Sequence, residues 1–353
     1  MSNKNNQNTT NNTSGEGLII EAIYRTGSLG WTPTDLLHIF GYEIAYYLNR
    51  IDGKRVPSPM AQHWNHQLRQ LLLTPHSWNP SKNVAQLCSQ ILRLPEIPGA
   101  ELLYDPTLYP ETDPQSLSGN TESQRQRSKV SKLLAKAEST TFPAEAESLI
   151  LKAQHLQQLY RMCTLELRCS VTNPQPDIVI QRVYLKPPWV KHQHLLLNSV
   201  ARHNSCRSLL IHPKGIACLF GSSEDIAQVV DLFSCLNNLR DYFMRNSHEA
   251  RRRHTPGETN SFRRSFSIAF AYRIHELLTQ ASQQAIDDGP WRKDSLILLR
   301  KQDQQVVDKV SEIFPHTRQI QLSGHNFKGY QAGREAADIS YRRRFLNQID
   351  HAA

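Results

Sequence analysis

The sequence predicts an α+β protein: an N-terminal all-helical module, a helical hairpin, then a mixed α+β domain with a small antiparallel sheet. Three observations predict this. Apolar residues recur at the three-and-four spacing of amphipathic helices as far as Leu156, and the period shortens to two between Leu165 and Leu185. A stretch rich in Pro, Ser, Gly and Asn at 95–128 lies between the first helices and the hairpin. A long helix follows a strand hairpin, which is an α+β order.

Residues 1–17 are mostly Asn, Thr, Gln and Ser, with one lysine, and read as a disordered tail. A helical module is expected over 18–94. Three of its helices open with a small polar residue before proline, at Thr32-Pro33, Ser58-Pro59 and Asn79-Pro80, and Asp35 stands at capping-box distance from Thr32. Leu36, Leu37, Phe40, Ile44, Tyr47 and Leu48 supply a core with Trp64, Leu68, Leu71, Leu72, Val84, Leu87, Ile91 and Leu92. None of these helices stands out as basic, which favours a packing module over a winged-helix-like DNA reader. Residues 95–128 read as a linker.

The hairpin is expected over 129–162. Val130, Leu133, Leu134 and Ala137 form one stripe, and Ala146, Leu149, Ile150, Ala153 and Leu156 a second. Ser139-Thr140-Thr141-Phe142-Pro143 between them is long enough only for a helix-to-helix turn. Pro143 suits the first turn of the second helix, Thr141 or Phe142 the cap, and Glu145 and Glu147 the positive end of its dipole.

The α+β domain is expected over 163–345. Leu165–Val171 and Ile178–Leu185 read as strands, Val190–His203 as a helix, and Cys206–Ile211 with Ile216–Phe220 as a hairpin across His212-Pro213-Lys214-Gly215. A long helix then starts at Ser222 or Ser223, with Glu224 and Asp225 in its first turn. Phe262–Leu278 reads as a helix, Leu296–Leu299 as a buried strand, Val306–Ile313 as a helix and Ile320–Leu322 as a strand. A last helix runs from about Gly329 into Arg342-Arg343-Arg344.

Lys129-x-x-Lys132-Leu133-Leu134-Ala135-x-Ala137-Glu138-Ser139-Thr140, Pro143-x-Glu145-Ala146-Glu147 and Lys152-Ala153-Gln154 resemble the bacterial and phage domain-of-unknown-function family 2786. The resemblance implies a hairpin and no chemistry. Where that family closes with a Met-containing, Gly-terminated tail, this chain reads Gln157-Gln158-Leu159-Tyr160-Arg161-Met162. The later text resembles family 7168, which commonly follows that hairpin. The residues that carry this are Ala201-x-x-Asn204-x-Cys206-Arg207, Gly221-x-x-x-Asp225-Ile226, Ser265-Phe266-x-x-x-Phe270-Ala271 and Gly329-Tyr330-x-Ala332-Gly333-Arg334.

A formal net charge of +9 over 353 residues favours anionic partners, nucleic acid first. No apolar run is long enough to cross a bilayer and no signal peptide is recognisable, so a cytoplasmic protein without membrane contact is expected. The six cysteines form no CxxC pair, and most sit beside aliphatic residues as reduced core cysteines do.

No metal is expected. His248-Glu249 and His254 are six apart and fall on different helix faces, and His275-Glu276 has Thr279 where a second zinc ligand should stand. His192 and His194, two apart on a helix, read as solvated or capping. Gly-x-x-x-x-Gly-Lys-Ser/Thr and Gly-x-Gly-x-x-Gly are absent, so no cofactor is expected. Gly221-Ser222-Ser223 could seat an anion but reads better as a plain cap.

The basic clusters Arg251-Arg252-Arg253, Arg263-Arg264 and Arg342-Arg343-Arg344 remain, set against the bland reading of solvated helix ends. The favoured function is non-catalytic binding of nucleic acid through these arginines. The alternative is an enzyme of unrecognised type, such as a hydrolase, with Asn204, Asp225, Ser265 and His275 converging in a cleft of the α+β domain.

Overall fold

The computed structural model describes residues 4–51, 55–56, 60–72, 81, 83–108, 117–140, 143–170, 177–246, 255–287, 291 and 293–337. The chain divides into two compact units, 1–111 and 112–353.

The first unit is helical. Helix α1 spans Lys4–Ser28, which corrects the expectation of a tail at 1–17 for residues 4–17. Ile19, Ala22 and Ile23 fix its later turns in the core. Adding residues to a fixed helix costs far less than nucleating one, so the polar run can continue it. The apolar run from Leu36 to Leu48 is broken at Gly41 into α2 (Pro33–Phe40) and α3 (Tyr42–Leu48). The Thr32–Asp35 capping box is present, with Asp35 N–H donating to Thr32 Oγ1 at 3.2 Å and Thr32 N–H donating to Asp35 Oδ2 at 3.0 Å.

Helix α4 spans Met60–Leu72 and α5 spans Val84–Leu92. Asn83 caps α5, accepting from Gln86 N–H at 3.1 Å, four residues past the start expected from Asn79-Pro80. Ser58-Pro59 and Asn79-Pro80 lie outside the described residues. Trp31 and Trp64 are fully buried, and each indole N–H is satisfied: Trp64 donates to Trp31 O at 2.8 Å and Trp31 to Pro95 O at 2.7 Å. That second bond, with Ile97 N–H donating to Leu29 O at 2.8 Å and Ile97 buried, ties 95–97 to this unit instead of leaving them in a linker. A short 3-10 turn follows at Ala100–Leu102.

The second unit opens with α6 (Leu117–Ser139) and α7 (Pro143–Ser170), so 117–128 are also helix and not linker. Val130, Leu134, Ala137, Ile150 and Ala153 are buried along the hairpin seam, and Lys136 pairs with Glu145 at 3.0 Å across the turn. The caps expected at Thr141 and Phe142 lie outside the described residues. Helix α7 runs on to Ser170, which overturns the strand expected at Leu165–Val171. A short alternating run carries a weak strand signal, and extending an anchored helix is cheap.

Strands β1 (Val179–Tyr184), β2 (Arg207–His212) and β3 (Ile216–Gly221) form an antiparallel sheet in the order β1-β3-β2. Val179 faces Gly221 and Tyr184 faces Ile216 in one ladder; Arg207 faces Phe220 in the other, with an irregularity between Leu210 and His212. All six residues of β3 are buried. Ala217 and Leu219 enter the main core with helices α8 (Val190–His203), α9 (Ser223–Asn246) and α10 (Pro256–Asp287). From the alternate set, Phe220 meets Phe314 edge-on at 5.9 Å, just past α11 (Lys293–Ile313). Cover on both faces explains why the central strand is an unbroken apolar run.

Two further expectations are corrected here. Leu296–Leu299 is part of α11, with Ile297 61% exposed, and Ile320–Leu322 forms no strand. A short apolar run does not distinguish strand from helix, and length decided for helix. The last described element, helix α12 at 327–337, lies directly on α10. A Cβ on Gly329 would stand 2.5 Å from Phe262 O, and one on Gly333 would stand 2.9 Å from Phe266 Cα and 3.0 Å from Ala269 Cβ.

Candidate functional site

Asn204, Asp225 and His275 are drawn into a polar layer on α7, and Ser265 is not. Gln158 Nε2 donates to His203 O at 3.0 Å and to Asn204 Oδ1 at 3.2 Å, while Asn204 Nδ2 donates to Val200 O at 3.0 Å. His203 Nε2 and His275 Nδ1 share a hydrogen bond at 3.0 Å. Three residues beyond Gln158, Arg161 reaches Asp225 at 3.5 Å and Gln302 Oε1 at 3.3 Å. Asp225 also accepts from Ser222 Oγ at 2.8 Å and Gln302 Nε2 at 3.1 Å. Ser222 is the plain cap of α9, since its Oγ accepts from Asp225 N–H at 3.1 Å.

Ser265 lies ten residues before His275 on α10, about 15 Å away at 1.5 Å per residue. Its Oγ accepts from Asn326 N–H at 3.0 Å. The layer fastens the hairpin to the end of α8, the start of α9 and α11. A hollow between α6, α7 and α9, lined by Val130, Gln157 and Gln228 among others, has a volume of about 20 Å³, room for a single water.

Neither cysteine nor metal chemistry finds support among the described residues. Cys206 and Cys218 are fully buried, and burial pushes the Cys206 thiol up, away from the thiolate. No group of three or more His, Cys, Asp or Glu side chains that could hold a metal occurs among the described residues. Glu276, from the half zinc motif, instead receives Arg273 at 2.8 Å and Arg334 at 3.0 Å.

The basic residues give a different geometry. Arg251, Arg252, Arg253, Arg342, Arg343 and Arg344 lie outside the described residues; Arg263 is half-buried and Arg264 exposed on α10. Helix α8 packs against α9 and α10, and its first turn faces this region. That turn has no side-chain cap bond and no acidic residue. The His192 N–H donates to Trp189 O at 3.1 Å, and no acid offsets the positive end of the dipole in that turn.

Lys191 is exposed there, and His192 is buried, with its ring edge-on to Trp189 at 5.4 Å. His192 Nε2 has no hydrogen-bond partner among the described residues. Arg240 of α9 is 1% exposed. Its Nε and Nη2 donate to Asp241 Oδ1 at 3.3 and 2.7 Å, while its buried Nη1 has no partner among the described residues. Burial, reinforced by Arg240, Arg264 and Lys191, pushes the His192 pKa down to about 4. The imidazole is thus neutral at pH 7.

His192 and His194 are each 9% exposed, which corrects the expectation that they are solvated or capping. They do diverge as two-apart helix residues must: His194 turns to β2, with Nε2 3.4 Å from Ser208 Oγ. Sequence reasoning read His192 as solvated or capping and passed over Arg240 and Lys191. Arginine within an amphipathic helix reads as surface, and the one available signal was the absence of an acid or cap at the start of α8.

Residues 125–162 match the family described as "protein of unknown function (DUF2786)". No curated protein and no solved structure matches. Among the described residues no helix is long and apolar enough to cross a membrane.

Proposed function

We propose that this is a non-catalytic cytoplasmic binding protein that engages nucleic acid through phosphate contacts from Arg251–253, Arg263–264 and Arg342–344. The observation that supports it is the state of Arg263 and Arg264. Arg161, Arg207, Arg240, Arg273 and Arg334 are each paired with a carboxylate, whereas these two have no ion-pair partner among the described residues. They sit near the beginning of α10, the end of a helix at which cations are not favoured, so complementing the dipole does not account for them. Arginine outside internal pairs is suited to bidentate phosphate contact.

We read the region after the hairpin as similar to family 7168, which adds no chemistry. The enzymatic alternative requires Asn204, Asp225, Ser265 and His275 in one pocket, and the remoteness of Ser265 weighs against it.

The test is a salt titration of binding to duplex and single-stranded nucleic acid. Log affinity should fall with log salt by about 0.9 per phosphate neutralised on duplex. Replacing Arg251, Arg252 and Arg253 by Ala should flatten the slope by about two to three units. An unchanged slope assigns the cluster to a solvated helix end. No binding near physiological salt ends the nucleic-acid reading.

A further inference from the structure

We propose that the outward face of α6 binds the phosphate backbone of a nucleic-acid duplex, with Arg125, Lys129, Lys132 and Lys136 set along it in a row and Lys152 of α7 beside them. The proposal takes its partner from the nucleic-acid reading above and its site from different residues, so the two can fail separately.

Helix geometry makes the row. Intervals of four, three and four residues bring the side chains to within about 30° of a common direction, and the four span about 16 Å along the axis. All four are exposed. Val130, Leu134 and Ala137 are buried on the other side, where α6 packs against α7 and α9, and Glu138 turns towards α9, accepting from Asn238 Nδ2 at 3.4 Å. Lys136 meets Glu145 across the turn at 3.0 Å. Lys152, exposed and seven residues beyond Glu145, therefore stands on that same side of the hairpin.

Folding does not call for this row. Each neighbouring pair in it is a like-charge pair at i,i+3 or i,i+4, which opposes the helix. Lys129, Lys132 and Lys152 have no ion-pair partner among the described residues. The excess charge is also local. Residues 1–111 carry eight Lys and Arg against nine Asp and Glu, so the whole of the +9 belongs to the unit that α6 opens.

The partner follows from what the face holds and what it lacks. Lysine is a point charge suited to phosphate, without the planar fork that arginine offers to a base edge, so the contact is to backbone and independent of sequence. Helix α6 has no aromatic residue on which the bases of a single strand could stack. Val130, Leu133 and Leu134 pack into the core instead of offering an apolar face to a membrane. A straight row of cations fits the regular row of phosphates along a duplex, one per about 3.4 Å of axis on each strand.

The test is a salt titration of the full chain with a mixed-sequence duplex. Lys129→Gln with Lys132→Gln and Lys152→Gln should lower the slope of log affinity against log salt by about two to three units. Glutamine matches lysine in helix propensity and the like-charge pairs are relieved, so this variant should unfold no earlier than the parent. Lys214→Gln with Lys293→Gln and Lys301→Gln removes three exposed lysines from other elements and should leave the slope unchanged. A lowered slope in the first variant and not in the second upholds the row. An unchanged slope in the first, or an equal loss in the second, overturns it and leaves the arginine reading standing. A slope that responds to the lysines and not to Arg251–253 does the reverse, and no duplex binding near physiological salt overturns both. A single strand of equal length bound as tightly as the duplex, or polyglutamate that displaces the duplex charge for charge, overturns the choice of partner.

Discussion

Gly333→Ala tests the packing of α12 on α10, because two effects of opposite sign compete there. In an ordinary helix the change would stabilise by about 0.5–1 kcal/mol through backbone entropy and helix propensity. Here the new methyl would lie 2.9 Å from Phe266 Cα and 3.0 Å from Ala269 Cβ, and closer still to Phe266 O. Backbone atoms cannot rotate away, so α12 must lift off α10, at an overpacking cost of about 1–3 kcal/mol. The clash outweighs the gain, for a net loss of about 1–2 kcal/mol. In a unit of this size that lowers the unfolding midpoint by about 2–8 °C.

Gly257→Ala is the matched control, since it lies in the first turn of α10 with nothing within 4 Å of a new Cβ. It should stabilise by up to about 1 kcal/mol. Thermal and urea unfolding of the full chain read both changes. If Gly333→Ala is as stable as the parent or more so, the close approach of the two helices is wrong.

Acid should destabilise the protein before its carboxylates titrate. His192, His194 and His203 are held down to about 4, in each case chiefly by burial. An unfolded chain takes up those protons near pH 6.5 and the folded one does not. Stability is therefore full above about pH 6.5 and falls towards pH 4, by at most about 3 kcal/mol per residue. The urea midpoint should drop between pH 7 and 4.5, a drop that His194→Asn reduces, and a flat profile would contradict the burial of these rings. In the polar layer, Arg161→Met should cost about 3 kcal/mol by stranding the Asp225 carboxylate, whereas Arg161→Met with Asp225→Asn should cost less than that. A double variant that is as unstable as the sum of its singles would show that the two groups do not interact.

The elements that sequence made visible are those with a local cause. The Thr32–Asp35 box, the Ser222 cap, the Pro143 start of α7 and the hairpin stripes act within one or two turns, and they stand where their residue types place them. The same is true of α8, which begins at Val190 and ends at His203 as read. The errors fall where local signals are weak. Leu165–Ser170 and Leu296–Leu299 lie in short apolar runs whose period admits either structure, and both were taken up by long neighbouring helices. Residues 4–17 and 117–128 are polar enough to read as tail and linker, yet they extend helices fixed elsewhere. Pro95 and Ile97 look like linker residues because their bonds go to Trp31 and Leu29, more than sixty positions away.

The residues that looked most like a signature turn out to have packing duties. Gly329 and Gly333 are small because α10 lies against them, and Arg334 reaches back to Glu276. Asn204 bonds Gln158, and Ser265 receives the Asn326 N–H. A motif records whatever constrains residue type, and contact between elements constrains it as tightly as chemistry does. His192 and Arg240 have the opposite character: they lie on two helices that pack against each other, and no spacing in the chain announces their burial. What sets them apart is energetic: His192 Nε2 and Arg240 Nη1 are buried with no partner among the described residues, a cost that is visible only once burial is known.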